Sequence, residues 1–288
     1  MGRELYDSAA VARAVFDQAD EILGFSLSQI CFEGPEEALK DTANQQPALY
    51  VVSMAMLARM KEQGWERPAF VAGHSLGEFS ALAAAGAFSF ADGLKLVRRR
   101  GELMKAAGDA HPGAMAAILA LDVPAVEQIC RQASEVSGRI VQVANDNCPG
   151  QVVISGDAEA LDVAMALATE AKARKVVKLP ITIAAHSPLM APAADALAEA
   201  IDATPITAPQ LPVMANVTAK PLADPEAIRA ELKAQLTAGV AWTASMNYLL
   251  AEGVDSFVEV GPGDTLLSFI KRINRKAKRV KLVLGENY

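Results

Sequence analysis

The stretch that decides the fold of this chain is Pro68-Ala-Phe-Val-Ala-Gly-His-Ser-Leu-Gly-Glu-Phe-Ser-Ala-Leu-Ala-Ala-Ala85. A short apolar segment opens it, Gly73-His-Ser-Leu-Gly77 follows, and an alanine-rich run that favours a helix closes it. A strand, a tight turn and a helix in that order are the required setting of the G-x-S-x-G nucleophile elbow. A glycine and serine turn that matches the pattern by coincidence is the alternative. The stretch favours an α/β protein in which Ser75 is a nucleophile.

The turn around Ser75 makes two physical demands. The serine of such an elbow lies in a strained conformation, so the positions that flank it must be small. The turn also lifts the serine Oγ out of the sheet and close to a helix N-terminus. There the backbone N–H of Leu76 would face a developing oxyanion, which the helix dipole also stabilises. We therefore expect Leu76 to supply an oxyanion donor.

A serine nucleophile needs a proton acceptor, and the chain contains three histidines. His74 adjoins the serine, so its side chain is expected to point away from Ser75 Oγ and to serve the structure. His111 lies in a polar loop, which indicates a solvated side chain. His186 follows a predicted strand and precedes a helix, a common location for catalytic groups. By exclusion His186 is the predicted general base, with a surface histidine of no catalytic role as the alternative.

No distinctive motif identifies the third member of a catalytic triad. The candidates by chain order alone are Asp92, Asp122, Asp146 and Asp157. A Ser–His dyad, whose imidazole is held by an amide or a backbone carbonyl, is equally compatible with the sequence.

The composition narrows the class of protein. The chain has 288 residues, 52% of them hydrophobic and 5% aromatic, which allows a large core with many helices. Its formal net charge of -7 gives no reason to expect nucleic-acid binding. Cys31, Cys130 and Cys148 show no CxxC spacing, which favours a reduced, cytoplasmic location. The best apolar run, Pro47–Leu57, is too short to cross a membrane, and the charged N-terminal residues do not resemble a signal peptide.

Hydrophobic periodicity divides the chain into two parts. The first thirty residues favour helix, and a further helix is predicted from Gln46 to Gln63, opened by the Gln46–Pro47 pair. Residues 113–182 indicate the order β-α-β-β-α-β, which is that of a ferredoxin-like unit. This unit begins and ends inside the larger chain. We therefore predict an insertion at 113–182 and an α/β core formed by 1–112 and 183–288.

Several motifs together resemble a known family. In chain order they are Gln46-Pro-Ala-Leu49, Gly73-His-Ser-Leu-Gly-Glu78, Arg100-Gly101, Gly113-Ala-Met-Ala-Ala117, Pro149-Gly-Gln-Val-Val-Ile-Ser-Gly156, His186-Ser-Pro-Leu-Met190 and Glu259-Val-Gly-Pro-Gly263. Over nearly the whole length the chain resembles malonyl-CoA:acyl carrier protein transacylases and the related acyltransferase domains of fatty acid and polyketide synthases. The resemblance implies an α/β-hydrolase-like core with an inserted ferredoxin-like subdomain.

The resemblance also implies roles for individual residues. Ser75 is similar to the acylated nucleophile of the family, and His186 to its general base. Arg100 is similar to the arginine that pairs with the free carboxylate of malonyl, a task that suits the guanidinium fork. Gln235 is similar to the residue whose backbone orients the histidine, and Gln46 to one that lines the acyl pocket. Without the resemblance, the arginine run that contains Arg100 would indicate a solvated helix end.

The activity that the resemblance implies is transfer of malonyl from coenzyme A to the phosphopantetheine thiol of an acyl carrier protein, with no metal or redox cofactor. One alternative is a serine hydrolase that releases acyl groups from carrier proteins, against which Arg100 argues. The other is a non-catalytic, carrier-binding homologue. It is suggested by Met1–Tyr6, which resembles the segment that in the family follows a first strand and a Gly-Gln-Gly loop. The glutamine N–H of that loop supplies a second oxyanion donor in the family.

The sequence indicates the acyl group and the carrier-docking surface less clearly than it indicates the catalytic residues. Leu76 after the serine favours malonyl over methylmalonyl, whereas Ile183-Ala-Ala-His186 does not match the selectivity signatures of the family. Carrier proteins are acidic, so the basic clusters Lys172–Lys178 and Lys271–Lys281 are candidate docking surfaces. A solvated helix face is the alternative explanation for either cluster.

Overall fold

Helices dominate the fold, and the computed structural model describes residues 1–282. The helices are α1 (Arg3–Ser8), α2 (Ala10–Leu23), α3 (Leu27–Glu33), α4 (Glu36–Lys40), α5 (Thr42–Glu62), α6 (Leu76–Ala84), α7 (Phe90–Ala110), α8 (Val123–Ser137), α9 (Ala158–Glu170), α10 (Ala191–Ala203), α11 (Pro225–Gln235), α12 (Trp242–Ala251) and α13 (Thr265–Ile273). The strands are β1 (Val71–Ala72), β2 (Gly113–Leu119), β3 (Val141–Cys148), β4 (Gln151–Asp157), β5 (Lys175–Lys178), β6 (Val213–Met214), β7 (Pro221–Leu222), β8 (Ser256–Glu259) and β9 (Lys278–Lys281). A 3₁₀ helix spans Pro188–Met190.

The sheet that carries the nucleophile is small. Strand β1 pairs in parallel with β6, with Val71 opposite Val213, and β7 pairs antiparallel with β6. Parallel strands point the same way, so the residues that follow β1 and β6 meet at one edge of the sheet. Ser75 therefore lies beside Asn216, 141 positions later in the chain. Helices α2, α5, α6, α7 and α10 supply most of the apolar core around this sheet.

Helix α5 begins earlier than its proline predicted. Asp41 is its N-cap, and the side chain of Asp41 accepts the N–H of Ala43 at 2.9 Å. Pro47 thus lies inside the helix, where it cannot donate a hydrogen bond to the carbonyl of Ala43. Arg98 of α7 donates its Nη1 to that carbonyl at 2.9 Å instead. The predicted start at Gln46 is wrong because a distant side chain satisfies the carbonyl that the proline leaves free.

The order β-α-β-β-α-β predicted for the middle of the chain is confirmed. Its four strands form one antiparallel sheet in the order β3-β4-β2-β5, and α8 and α9 pack on it around a separate apolar core. An isolated bridge between Asn145 and Val240 joins β3 to the rest of the molecule. The boundaries at 113 and 182 stay a prediction, and residues 283–288 of the predicted core lie outside the described residues.

The structure adds detail to three other segments. The helical prediction for the first thirty residues is confirmed, and the helical region is divided into α1, α2 and α3 because the chain turns at Ala9 and Gly24. The strand predicted before Gly73 is only two residues long, as is its partner β6. The basic segment at Lys271–Lys281 ends α13 and then forms β9, which pairs in parallel with β8. None of the helices within residues 1–282 combines the length and hydropathy that crossing a bilayer demands.

Candidate active site

The turn that presents the serine is strained and tightly packed. Ser75 has φ 53° and ψ -110°, a conformation that L-residues rarely adopt. A Cβ atom on Gly73 would lie 1.8 Å from the carbonyl oxygen of Gly77, so only glycine fits there. The expectation of small flanking residues therefore holds at Gly73. It is wrong at Gly77, where an added Cβ would meet nothing within 4 Å.

Asn216 holds the backbone on both sides of the turn. Its Oδ1 accepts the N–H of Ser75 at 2.6 Å, and its Nδ2 donates to the carbonyl of Gly73 at 2.7 Å. The N–H of Ser75 is therefore occupied. The N–H of Leu76 belongs to the first residue of α6 and has no acceptor within that helix. Leu76 is thus placed as the sequence predicted for an oxyanion donor, although its role stays a prediction.

His186 meets the serine hydroxyl across the site. Its Nε2 lies 2.8 Å from Ser75 Oγ, and its Nδ1 lies 2.8 Å from the carbonyl oxygen of Gln235 and 3.2 Å from that of Ala238. Carbonyl oxygens only accept, so Nδ1 carries the proton and Nε2 is left to accept from Ser75. Like the serine, His186 has a positive φ, 58°. Gln142 of β3 donates to the carbonyl oxygen of His186 at 2.8 Å and anchors its backbone.

No carboxylate holds the imidazole among the described residues. The four aspartates that chain order suggested bond elsewhere: Asp122 and Asp157 are the N-caps of α8 and α9, Asp92 accepts from Ser89 Oγ, and Asp146 accepts from Thr243 Oγ1. Backbone carbonyls therefore provide the third group, which was one of the two arrangements left open by the sequence. The other histidines lie as expected: His74 contacts Asn147 at 2.8 Å and packs beside Trp242, and His111 is exposed.

Arg100 enters the same site from α7. Its side chain is 1% exposed, and its Nη2 lies 3.1 Å from Ser75 Oγ. The guanidinium also donates to Gln46 Oε1 at 2.6 Å and to Gln235 Oε1 at 3.0 Å. Within residues 1–282 it makes no salt bridge, and its Nε is buried without a hydrogen-bond partner. Burial lowers the pKa of Arg100 to about 10, against the opposing effect of nearby Glu78, so the group is a cation at neutral pH whose direct hydrogen-bond partners are neutral.

The environment keeps the imidazole neutral. Burial and then the charge of Arg100 lower the pKa of His186 to about 3. At neutral pH the Nε2 lone pair is thus available to the serine proton. The combination of a strained serine, a neutral imidazole and a buried cation can form and break an acyl ester whose acyl chain carries an anionic group.

Comparison with known proteins identifies the family. The sequence pattern of the acyl transferase domain family matches residues 1–285. A malonyl CoA-acyl carrier protein transacylase of Bacillus subtilis is 46% identical over 97% of this chain and 88% of its own length. The structure of the transacylase of that name from Coxiella burnetii aligns with a TM-score of 0.96 at 36% identity, covering 100% of this chain and 90% of that one. The chain belongs to the acyl transferase domain family.

A second solved structure in the comparison contains a partner. It is a malonyl-transacylase in complex with its type II PKS acyl-carrier protein, and it aligns with a TM-score of 0.94 at 37% identity. The alignment covers 98% of this chain and 91% of the other. The resemblance inferred from the motifs is therefore confirmed, as is the α/β fold.

Two residues of this acyl transferase site were missed by sequence reasoning. Asn216 lies two residues after β6 and belongs to no motif, so only the parallel pairing of β1 with β6 reveals it. Glu78 is the last residue of the motif Gly73-His-Ser-Leu-Gly-Glu78, but the sequence indicated no function for it. It is 0% exposed, its Oε1 accepts the N–H of Asn216 at 3.0 Å, and its Oε2 accepts from Gln235 Nε2. Burial first, and nearby Glu231 second, raise the pKa of Glu78.

The glutamines of the site act through their side chains as well as the backbone. Gln46 Nε2 donates to Thr42 Oγ1 at 2.9 Å, which leaves its oxygen to face Arg100. Gln235 Nε2 donates to the carbonyl oxygen of Ser75 at 2.9 Å. No group of three or more His, Cys, Asp or Glu side chains in the described part of this acyl transferase is placed to hold a metal ion.

Proposed function

We propose that this chain transfers a malonyl group from coenzyme A to the phosphopantetheine thiol of an acyl carrier protein, through an ester on Ser75. The observation that carries the proposal is the meeting of three groups at one atom. Ser75 Oγ lies 2.8 Å from His186 Nε2 and 3.1 Å from Arg100 Nη2. The same activity is supported by the similar malonyl CoA-acyl carrier protein transacylases and by the similar malonyl-transacylase that was solved in complex with its acyl-carrier protein.

The first half-reaction loads the serine. Ser75 Oγ gives its proton to His186 Nε2 and attacks the carbonyl carbon of the malonyl thioester. The carbonyl oxygen becomes an oxyanion that the Leu76 N–H stabilises. The C–S bond then breaks, and the coenzyme A sulfur takes the proton back from His186. The product is a malonyl ester on Ser75 and free coenzyme A.

Arg100 selects the acyl group. A buried guanidinium without a carboxylate partner is costly unless a substrate supplies one. The distal carboxylate of malonyl supplies it, and the guanidinium can donate two parallel hydrogen bonds to that group. An uncharged acyl chain would leave the cation unpaired. This reasoning disfavours a general acyl hydrolase, and the Ser75–His186 contact disfavours a non-catalytic homologue.

The second half-reaction empties the serine. The phosphopantetheine thiol gives its proton to His186 Nε2, and its sulfur attacks the ester carbonyl carbon. The C–O bond to Ser75 breaks, and Ser75 Oγ takes the proton from His186. The malonyl group leaves on the carrier protein, and the site returns to its resting state. We propose that this takes place in the cytoplasm.

The proposed docking surfaces for the carrier are the two exposed basic clusters, Lys172–Lys178 and Lys271–Lys281. Carrier proteins are acidic, and Lys271, Arg275, Lys276 and Lys278 project from α13 and the segment up to β9. In the same region Arg272 donates to the carbonyl oxygen of Pro149 at 2.8 Å and is thus occupied. Charge complementarity of this kind increases the association rate, which falls with salt.

Mass spectrometry tests the proposal directly. The chain is mixed with malonyl-CoA, and a mass increase of one malonyl group is expected on the peptide that contains Ser75. Addition of carrier protein with its phosphopantetheine arm should discharge that adduct, whereas carrier without the arm should not. A chain that releases free malonate at the same rate with and without the carrier would instead be a hydrolase.

A further inference from the structure

Glu78 is a buried acid whose bonds lead out of its own helix. It lies in the first turn of α6, where an acidic residue ordinarily faces solvent or the helix N-terminus. Here the side chain is 0% exposed. Its Oε1 accepts the backbone N–H of Asn216 at 3.0 Å, and its Oε2 accepts from Gln235 Nε2. Both carboxyl oxygens are therefore committed to groups that are more than a hundred positions away in the chain.

Those two partners grip the peptide groups of the nucleophile. The Asn216 side chain accepts the N–H of Ser75 at 2.6 Å, and Gln235 Nε2 donates to the Ser75 carbonyl oxygen at 2.9 Å. Glu78 thus touches neither the hydroxyl of Ser75 nor the imidazole of His186, but it holds the two residues that fix the serine backbone.

The orientation of the Gln235 carboxamide decides whether its oxygen or its NH₂ group faces Arg100. Its oxygen accepts from Arg100 Nη2 at 3.0 Å, so its NH₂ must point the other way. Glu78 Oε2 and the Ser75 carbonyl oxygen are both acceptors, and together they hold the NH₂ on that side. If the amide turned over, its NH₂ would face the guanidinium and Arg100 would lose one of its acceptors.

We propose that Glu78 is a positioning residue that orients the Gln235 carboxamide, and through it the Arg100 guanidinium, towards the carboxylate of the acyl group. This rests on the proposed malonyl transfer. A purely structural Glu78 would affect all acyl groups alike. A Glu78 that orients Arg100 affects an acyl group with a distal carboxylate more than one without it.

Glu78→Gln is the variant that tests this orientation. The substitution keeps the size of the side chain and replaces one accepting oxygen by an NH₂ group. That NH₂ faces either the N–H of Asn216 or the NH₂ of Gln235. When two NH₂ groups face each other, the Gln235 amide can turn over to relieve the repulsion. The turned amide then no longer offers its oxygen to Arg100. Asp146→Asn is the matched control, because Asp146 is a half-buried acid that accepts from Thr243 Oγ1 at 2.7 Å without touching Gln235 or Asn216.

The readout is the rate of Ser75 loading from malonyl-CoA divided by that from acetyl-CoA, which lacks the distal carboxylate. We expect Glu78→Gln to lower this ratio about 10- to 100-fold, the range for a hydrogen bond to a charged group, with the larger change in KM for malonyl-CoA. Asp146→Asn should keep the wild-type ratio. Glu78→Asp, which keeps both acceptors but shortens the reach, should give an intermediate ratio and serves if Glu78→Gln does not fold.

A second pair of variants shows whether Glu78 acts through Gln235. In a chain that carries Gln235→Leu there is no amide to orient, so adding Glu78→Gln should lower the ratio no further. Equal ratios for Glu78→Gln and Asp146→Asn, or additive losses in the double variant, would overturn the positioning role while the malonyl transfer stands. A wild-type chain that malonyl-CoA does not label would overturn both.

Discussion

The core between the sheet of β2–β5 and its helices α8 and α9 is built from apolar side chains, whereas the interior around Ser75 contains an arginine, a glutamate, two glutamines and a histidine. Burying hydrocarbon stabilises a fold by roughly 25 cal/mol per Å². Burying an ion costs several kcal/mol that its partners must offset. The first region is what a sequence needs in order to fold. The second is costly, and its retention in this chain points to chemistry.

The two regions also touch. Gln142 and Asn147 of β3 reach across to the carbonyl oxygen of His186 and to the ring of His74, at 2.8 Å each. The antiparallel sheet therefore contributes anchors for the histidines and none of the groups that meet Ser75 Oγ.

The largest expected effect comes from removing the serine hydroxyl. Ser75→Ala should abolish malonyl loading altogether, because no other group in the site is placed to form the ester. Ser80→Ala, in the helix α6 that follows Ser75, is the control and should load normally. Mass spectrometry of the intact chain after exposure to malonyl-CoA measures both. A labelled Ser75→Ala chain would mean that another residue is the nucleophile.

The next effect concerns the buried cation. Arg100→Ala removes the partner of the malonyl carboxylate and should cost about 2–5 kcal/mol in kcat/KM for malonyl-CoA, as for other buried charge pairs. Arg99→Ala is the matched control, since Arg99 is exposed and one position away. Steady-state measurement of kcat/KM for malonyl-CoA compares the two variants. If both variants lose the same activity, the buried arginine is a folding feature and the contrast between the two regions fails.

The apolar region should respond in stability alone. Ile154 is fully buried between the antiparallel sheet and its helices. Ile154→Ala should lower the free energy of unfolding by about 2–5 kcal/mol through lost packing and a cavity. Val136→Ala, at a side chain that is 69% exposed, should change it little. Urea unfolding gives these values, and the folded fraction of Ile154→Ala should load Ser75 at the wild-type rate. A specific loss of rate would assign the insertion a part in the chemistry.

The smallest effect is a dependence of stability on pH. Burial lowers the pKa of His186 to about 3, below the usual 6.5 of the unfolded chain. Between these values the unfolded state binds a proton that the folded state does not, so stability falls as the pH falls from 6.5 towards 3. The contribution is about 1.4 kcal/mol for each pH unit below 6.5, so a change of one unit alters stability less than the substitutions above.

His186→Asn should remove that contribution, and His111→Asn, at an exposed position, should not. Denaturant unfolding at a series of pH values measures the difference in slope. Identical slopes for the wild type and His186→Asn would show that the imidazole is not held neutral by its surroundings.

Local patterns in the sequence predicted the parts of the molecule that short segments specify. The β-α-β-β-α-β order follows from periodicity, because each strand or helix has its own apolar face. Helix starts were less predictable. The proline at position 47 indicated a start at Gln46, but Arg98 of another helix satisfies the carbonyl of Ala43 and lets α5 begin at Thr42.

The position of the nucleophile turn was determined by the sequence itself, because a strand, Gly73, Ser75 and a helix are contiguous and only glycine fits at position 73. The motifs also identified His186, Arg100, Gln46 and Gln235 by resemblance. What they did not reveal is how these groups are held. Asn216, Glu78 and the Gln235 amide act through hydrogen bonds between residues 138 to 160 positions apart. Such bonds form only when parallel strands and packed helices bring distant segments together, so they belong to the tertiary structure alone.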